Sequence, residues 1–501
     1  MSLVSCRGDY AASTGGADVL ASGRTLSHFS AFQIDPRSED SAGPQFVAAA
    51  DLNDDGLMDL VSAWNQSQPV QIHLQRRGRA GTPSFETITL AGSIPAVAVA
   101  GLAVTDGAAD FDSDGHADIA VLLKETLLPG PQCLDSELPP EGLSGQIIIY
   151  LGPTDPEQVN QALAWEEVAI GASFLQGSGD ASGAPEDGGY TAMAVGDIDA
   201  DGDMDVVASW NSDCGDGGSA DVVLFTNGGA AAVRDGTWTA ARIPDSFPKG
   251  TVIKDVALGD IDRDGDLDVV ATFPTAPTMN IRWYRNPAVD LLDDFHISDG
   301  SWQTGMIAQI QTGADLITLV DVDREGILNS QGEIEFPLDV LMRSTEGKLI
   351  QWLRGPVGPT TAPVRSIPWQ VYTLAEFPER TPQAIAVGDL DFDGQIEAVV
   401  SAQGGLAWFN AGSSPYDQWT ETLIIDEGSQ TGAAATPSTT DAGAAQQDQD
   451  NAGETTMNTI LVVDLDGDGA NDLVVPFDRS GLSGLTDDAL IWLRNTKLPP
   501  A

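Results

Sequence analysis

The sequence has few of the residues on which disulfide scaffolds and many enzymes depend. Its 501 residues contain 3 cysteines and 4 histidines, and the histidines His28, His73, His116 and His296 are scattered. Three cysteines exclude a disulfide scaffold. No nucleophile elbow, HExxH motif or Cys/His arrangement is present. No apolar run approaches the roughly 18 residues of a membrane helix. We therefore expect a protein that is not an enzyme and has no membrane-spanning segment.

Basic residues are also scarce. Lysine and arginine together number 23 against 75 aspartates and glutamates, so the formal net charge is −52. An acidic surface of this size argues against nucleic acid and anionic membranes as partners, and it suits a calcium-rich exterior. Hydrophobic residues make up 42% of the chain, which is enough for a substantial core.

One acidic pattern is abundant instead. The motif D-x-D-x-D-G-x-x-D begins at Asp51, Asp110, Asp197, Asp260, Asp321, Asp389 and Asp464. Acids at positions one, three and five converge on one centre, glycine at six permits a sharp turn, position seven offers its carbonyl and position nine closes the shell. Oxygen ligands in this number favour calcium over magnesium or zinc. We predict up to seven calcium ions.

The predicted ligands follow from these positions. In the first four loops they are Asp51, Asn53, Asp55, Leu57 and Asp59; Asp110, Asp112, Asp114, His116 and Asp118; Asp197, Asp199, Asp201, Asp203 and Asp205; and Asp260, Asp262, Asp264, Asp266 and Asp268. In the last three they are Asp321, Asp323, Glu325 and Asp339; Asp389, Asp391, Asp393, Gln395 and Glu397; and Asp464, Asp466, Asp468, Ala470 and Asp472. Ten extra residues separate Asp339 from its expected position, which predicts a weak, altered or empty fifth site.

The residues after each loop indicate strands rather than the helices of an EF-hand. Segments such as Asp-Val-Val and Asp-Leu-Val follow directly, and position twelve lacks the glutamate that an EF-hand requires. Each unit reads as four strands, which predicts an all-β, seven-bladed β-propeller of four-stranded antiparallel blades. We assign residues 28–497 to the propeller, 1–27 to a flexible tether and 427–458 to a mobile insertion.

The fourth strand of each unit has its own signature, an aromatic followed five residues later by Ile or Leu. It occurs after the first six loops, as Phe85 with Leu90, Trp165 with Ile170, Trp238 with Ile243, Trp302 with Ile307, Trp369 with Leu374 and Trp419 with Ile424. The missing seventh copy is Phe29 with Ile34, ahead of the first loop. We therefore predict that an N-terminal strand closes the last blade; a core-facing N-terminal strand without this role is the alternative.

Several features suggest where a partner binds. The long connections 125–145, 171–190 and 427–458 are predicted to emerge on the face opposite the acidic loops, and long loops on one face are typical binding surfaces. Trp64 and Trp210 end second strands and are candidates for that face, although core packing is the commoner role. Cys133 and Cys214 are placed for a disulfide or remain two free thiols. Cys6 follows a lipobox-like Leu-Val-Ser and is a candidate lipid anchor, or a chance match.

The repeats, as in Val195-Gly-Asp-Ile-Asp-Ala-Asp-Gly-Asp-Met-Asp-Val-Val207, resemble the FG-GAP/VCBS repeats of integrin α-subunit propellers and bacterial surface proteins. The likeness spans nearly the whole chain after residue 28. It implies a seven-bladed propeller in which Asp197, Asp199, Asp201 and Asp205 bind Ca²⁺ through side chains and Asp203 through its carbonyl. The Phe-Gly and Gly-Ala-Pro elements that name the integrin version are not evident as part of the repeats, so the bacterial type is closer.

Three functions remain open from the sequence. The first is a secreted or lipid-anchored binding or adhesion module that recognises a glycan or protein at the cell surface. The second is a structural subunit of a surface layer or filament that assembles with copies of itself. The third is a polysaccharide lyase or hydrolase, for which no catalytic constellation is visible.

Overall fold

The structure is a computed structural model. It describes residues 28–34, 43–64, 70–77, 83–90, 98–103, 109–124, 146–170, 188–212, 220–243, 251–274, 281–287, 302–308, 310, 312–328, 334–355, 369–402, 405–412, 414–426, 457–477 and 489–496. Within these ranges the strands form seven four-stranded antiparallel sheets and one two-stranded hairpin. Each four-stranded sheet is one blade of a β-propeller, which confirms the predicted fold class.

The blades follow one another along the chain. Blade one contains β2 (Pro44–Ala50), β3 (Asp59–Trp64), β4 (Val70–Arg77) and β5 (Pro83–Thr89). Blade two contains β6 (Ala98–Ala103), β7 (Ile119–Lys124), β8 (Gln146–Leu151) and β9 (Glu166–Ile170). Blade three contains β10 (Gly188–Gly196), β11 (Asp205–Ser212), β12 (Ala220–Thr226) and β13 (Thr239–Arg242). Blade four contains β14 (Val256–Gly259), β15 (Asp268–Thr272), β16 (Ile281–Arg285) and β17 (Gln303–Ala308).

The remaining blades include the one exception to the regular unit. Blade five contains β18 (Leu316–Val320), β21 (Asp339–Ser344), β22 (Leu349–Arg354) and β23 (Gln370–Glu376), and its first loop holds the hairpin β19 (Ile327–Leu328) and β20 (Ile334–Glu335). Blade six contains β24 (Pro382–Gly388), β25 (Glu397–Ala402), β26 (Gly405–Asn410) and β27 (Thr420–Asp426). Blade seven contains β28 (Leu461–Val463), β29 (Asp472–Phe477), β30 (Ala489–Asn495) and β1 (Phe29–Gln33).

Helical structure within these ranges is short. It consists of the 3-10 turns Pro156–Gln158 and Ala162–Ala164 and the helix α1 (Ala230–Asp235), which precedes β13. No helix in the described part of the chain is long and apolar enough to cross a membrane.

The second strand of each blade shows why these segments form sheets. The residues of β15 (Asp-Val-Val-Ala-Thr) are all buried, as are those of β3, β25 and β29. β-Branched residues fit a pleated strand, and neighbouring blades cover both faces, so these strands are apolar throughout rather than alternating. The core accordingly divides into seven buried clusters, and each of them lies between two adjacent blades.

The fourth-strand aromatics belong to these clusters. Trp165, Trp302 and Trp419 are buried against the preceding blade, and Trp238 and Trp369 pack partly buried at the equivalent positions. Trp64 and Trp210 are also buried, with 1% of their surface exposed. Of the two readings, core packing is therefore the one that holds and the binding-face reading does not, because the second strand that carries each of them is enclosed by its neighbours.

The N-terminal strand closes the ring. β1 pairs antiparallel with β30, with Phe29 opposite Asn495 and Gln33 opposite Ile491. Phe29 enters the cluster between blades six and seven and meets Trp408 edge-on, at a ring-centroid distance of 6.2 Å. The first strand of blade seven also contacts the first strand of blade one. The predicted closure by Phe29 and Ile34 is confirmed.

Some predictions lie outside the described residues. They are the tether 1–27 with Cys6, the insertion 125–145 with Cys133, the segment 213–219 with Cys214, the connection 171–187 and residues 427–456. The disulfide, the lipid anchor and the long-loop face therefore stay predictions.

Replacing Phe29 with alanine tests the closing strand. Phe29 is 8% exposed, so Phe29→Ala should lower the free energy of unfolding by about 3 kcal/mol through lost burial and a residual cavity. Urea denaturation followed by tryptophan fluorescence measures the change. Phe336→Ala is the control, because Phe336 is 55% exposed. Equal stability of the two variants would contradict a structural role for β1.

Candidate metal centre

The acidic motif forms the turn between the first and second strands of every blade, and we call each of these turns an ion loop. At position four the backbone is left-handed in all seven loops, with φ between 49° and 71°. Six of these residues are not glycine, namely Asp54, Ser113, Ala200, Arg263, Arg324 and Phe392. Glycine at position six also has positive φ in six loops, as at Gly202 with 96°. These two residues turn the chain sharply enough for alternate side chains to converge.

The acid at position one holds the turn. Asp197 accepts the backbone N–H of Asp201 on Oδ1 at 3.1 Å and that of Gly202 on Oδ2 at 3.0 Å. The same pair of contacts is formed by Asp51, Asp110, Asp260 and Asp464. These bonds orient the carboxylate toward the loop. The backbone of the turn therefore holds the aspartate side chain at position one of the motif in place.

The acid at position nine is buried beneath the loop. In blade three, Asp205 Oδ2 accepts the N–H of Ile198 at 2.9 Å, and Oδ1 accepts the N–H of Asn227 at 2.7 Å. We call this residue the closing acid. Its equivalents are Asp59, Asp118, Asp268, Asp339, Glu397 and Asp472, all at most 2% exposed. One carboxylate therefore fastens the loop to both the second and the third strand of its blade.

Carboxylates from positions one, three and nine come together in these loops. Oxygens of each group lie within 4.8 Å of one another, the groups being Asp110, Asp112 and Asp118; Asp197, Asp199 and Asp205; Asp260, Asp262 and Asp268; Asp321, Asp323 and Asp339; and Asp389, Asp391 and Glu397. Asp339 thus reaches the fifth loop despite the insertion, part of which forms the hairpin of β19 and β20. Position five carries a carboxylate in every loop, as an aspartate in six of them and as Glu325 in the fifth.

Comparison with known families agrees with this geometry. The family model of the FG-GAP-like repeat matches residues 51–121, which span the first two ion loops. This match and the seven blades together support an FG-GAP-repeat β-propeller. No significant match was found among curated proteins.

The solved structures similar to this FG-GAP propeller have distant sequences. One, from a study of recognition of non-reducing terminal N-acetylglucosamine by an Agrocybe aegerita lectin, shares 14% identity, with 77% of this chain and 81% of that chain covered and a TM-score of 0.39. Another is the β-propeller domain of Myceliophthora thermophila Cps50 (Swd1), with 9% identity, coverage of 92% and 99%, and a TM-score of 0.44.

The electrostatics of the FG-GAP loops favour a cation. Burial raises the pKa of the closing acids, to about 6 for Asp339 and to about 8 for Asp205, Asp268 and Glu397, and neighbouring loop carboxylates raise it further. Backbone N–H groups oppose this shift but do not cancel it. A divalent ion among these oxygens would favour the ionised forms.

The donor set of the propeller loops suits calcium. Every predicted side-chain ligand is an oxygen donor, including Asn53 of the first loop. In the third loop Asp199 Oδ1 is buried and has no hydrogen-bond partner among the described residues. Buried oxygen atoms that need a partner, on a flexible loop with a carbonyl at position seven, are the coordination that calcium takes in proteins. These residues therefore fit the ion.

The sequence reasoning missed a set of amides at the end of the third strand. Asn286 donates its side-chain N–H to the carbonyl of Ile198 in the ion loop of blade three, at 2.6 Å, and to Leu267 in its own loop at 3.0 Å. Gln75, Asn227 and Asn495 likewise reach the loop of the preceding blade. The three asparagines stand at the end of the third strand in Arg-Asn or Thr-Asn pairs, which were the available signal, whereas Gln75 follows Leu74 within β4. These amides join successive ion loops.

Removing one such amide should cost measurable stability. Asn286→Ala leaves the buried carbonyls of Ile198 and Leu267 without this donor, so the free energy of unfolding should fall by about 1 to 3 kcal/mol. Chemical denaturation provides the measurement. Asn160→Ala is the control, because Asn160 is an exposed asparagine outside the ion loops. A value for Asn286→Ala within error of the control would contradict the role of the amide.

Proposed function

We propose that the protein is a calcium-stabilised binding module that acts outside the cell or at its surface. The observation that carries this proposal is the recurrence of the same carboxylate group in successive blades, on one face of an FG-GAP propeller. A rigid ring with one ion in the ion loop of each blade is suited to presenting a binding surface. The described residues offer no evident catalytic group.

The charge of the protein supports a calcium-rich location. The net charge is −52, and seven divalent ions would still leave about −38. Short loops of this kind in extracellular modules bind calcium weakly, with Kd values on the order of 10⁻⁴ to 10⁻³ M. Such sites fill where free calcium is high, which favours a secreted or surface-attached protein.

The proposed partner is a glycan or a protein at the cell surface, and the proposed contact surface is the face opposite the ion loops. Acidic residues crowd the ion-loop face and would be engaged with calcium. The long connections on the opposite face vary in length from blade to blade, whereas the ion loops keep one pattern. Variable loops on a constant scaffold are where repeat proteins gain specificity.

Calcium removal should destabilise the protein strongly. An ion that binds only the folded state contributes about 2.7 kcal/mol at a free concentration about one hundred times its Kd, and emptied loops repel themselves. We expect a lower thermal midpoint in chelator than in excess calcium, measured by calorimetry. Asp201→Ala should reduce this difference, whereas Asp417→Ala, which changes an exposed acid outside the loops, should not. Identical midpoints with and without calcium would refute the proposal.

The binding function is tested on calcium-loaded protein with a panel of glycans and surface polysaccharides. We expect binding that is lost on chelation and leaves the ligand intact. Phe336→Ser serves as a matched control, because it alters an exposed apolar side chain on the ion-loop face and should bind as the unaltered protein does. Cleavage products would point to an enzyme. A clean negative against glycans, with self-association on calcium addition, would favour the structural subunit.

A further inference from the structure

The acids of the ion loops do not reveal that the loops also differ in the side chain that lies beside them on the third strand. This position directly precedes the residue whose N–H binds the closing acid. It is Arg285 in blade four, Arg354 in blade five and Arg494 in blade seven. In blade three the residue is Thr226, and in blade six it is Asn410.

Each of the three arginines spans two ligand carboxylates of its own loop. Arg494 places Nε 2.6 Å from Asp466 Oδ2 and Nη2 3.0 Å from Asp468 Oδ2. Arg285 forms the same pair of contacts with Asp262 and Asp264, and Arg354 forms them with Asp323 and Glu325. A planar guanidinium matches two carboxylates in this forked manner. Positions three and five of the motif are therefore bridged by a cation from the chain itself.

At position five the arginines contact an oxygen that a bound ion could use, whereas at position three Arg494 contacts Asp466 Oδ2 and the buried Oδ1 has no hydrogen-bond partner among the described residues. At position five, Asp468 Oδ1 already accepts the N–H of Ala470 at 3.0 Å, so Oδ2 is the oxygen left for a cation. The third loop has the same arrangement, with Asp201 Oδ1 accepting the N–H of Asp203 at 3.0 Å. In blade seven that remaining oxygen is bound by Arg494, whereas in blade three it is not bound by arginine.

Blade five carries the most complete version. Arg354 is 12% exposed, compared with 38% for Arg494. Tyr416, which comes from the connection before the fourth strand of blade six, donates its hydroxyl to Asp323 Oδ2 at 2.7 Å and packs against Trp352. The fifth loop is thus covered by an arginine and a phenol from two blades.

Blade three is the opposite case. No lysine or arginine among the described residues forms an ion pair with Asp197, Asp199 or Asp201, and Thr226 is too short and uncharged to replace one. Since the same motif is present with and without the arginine, the acids alone cannot set the affinity for calcium.

We propose that Arg285, Arg354 and Arg494 act as built-in cations that compete with calcium, so that the loops of blades four, five and seven bind the ion weakly and the loop of blade three binds it tightly. The inference rests on the proposed calcium binding by the loops. A fixed positive charge beside two ligand carboxylates repels a divalent ion and occupies the position-five oxygen that the ion could use. The same charge neutralises the carboxylates when calcium is scarce, so these blades stay folded without it.

The test counts calcium ions bound at equilibrium, by dialysis of the full chain against radioactive calcium. Arg494→Gln should tighten one weak site by about tenfold or more, as expected when a neighbouring unit charge is removed from a partly buried site. Arg494→Lys keeps the charge and should bind less tightly than Arg494→Gln. Arg380→Gln is the matched control, because Arg380 pairs with Glu421 outside the loops, and it should leave binding unchanged.

A reciprocal variant keeps the inference testable if substitution of Arg494 prevents folding. Thr226→Arg introduces the cation into blade three and should weaken the tightest site. Thermal midpoints give a second readout: Arg494→Gln should be less stable than the unaltered protein in chelator and should recover in excess calcium. A purely structural arginine would instead lower both midpoints equally.

The outcomes separate this inference from the proposed function. Seven equivalent ions in the unaltered protein, or weaker calcium binding by Arg494→Gln, would overturn the inference and leave calcium stabilisation intact. No bound calcium in any variant, Thr226→Arg and Arg494→Gln included, would overturn the proposed function itself.

Discussion

The structure depends on a buried carboxylate at the same place in every blade. The closing acid, such as Asp205, lies at the start of the second strand and is inaccessible to solvent, yet it has acidic neighbours in its own loop. A charge in this position must be met by donors or cations. Two backbone N–H groups supply part of the compensation, one from the loop and one from the third strand. The remaining compensation for the charge of the closing acid must come from the rest of the ion loop.

The closing acid also explains the exacting geometry of the third strand. That strand must deliver an N–H to the carboxylate at about hydrogen-bond distance, which brings its backbone close to the ion loop. In blade five the residue is Gly355, where a Cβ would lie 2.3 Å from the carbonyl oxygen of Leu338. In blade four it is Asn286, whose side chain continues to the neighbouring loop. Asn286 therefore anchors its own ion loop through its backbone N–H and contacts the neighbouring ion loop through its side chain. Residues of this kind connect successive loops around the ring.

Much of this architecture could be predicted because short sequence patterns recur in unit after unit along the chain. Recurrence of the acidic motif defined the blades, and the fourth-strand signature at Phe29 and Ile34 identified the closing strand. The insertion in the fifth loop could be seen in the sequence too. The sequence did not show, however, that Asp339 would lie beside Asp321 and Asp323 as the closing acids of the other loops do. These features depend on spacing along the chain, which a single sequence displays directly.

Other features depend on which residues meet across strands, and spacing does not reveal them. Trp64 and Trp210 were candidates for a surface because aromatics end both strands, but the packing of adjacent blades encloses them. Arg285 lies 23 residues from Asp262 and comes to it only through the pairing of β15 with β16. The left-handed backbone at position four could not be predicted from the sequence either. Only one of the seven residues there, Gly467, is a glycine.

The arginines change how an acidic motif should be interpreted. A count of motifs treats seven loops as seven equal sites, because it considers only the ligands that a metal would use. Calcium affinity, however, is a difference between the ion and whatever satisfies the same oxygens in its absence. Where Arg494 bridges Asp466 and Asp468, that alternative is a covalently tethered cation of high effective concentration. Where Thr226 stands, the alternative is water and mutual repulsion. On this proposal, two loops with the same acids at positions one, three, five and nine would differ in calcium affinity through a residue that coordinates nothing.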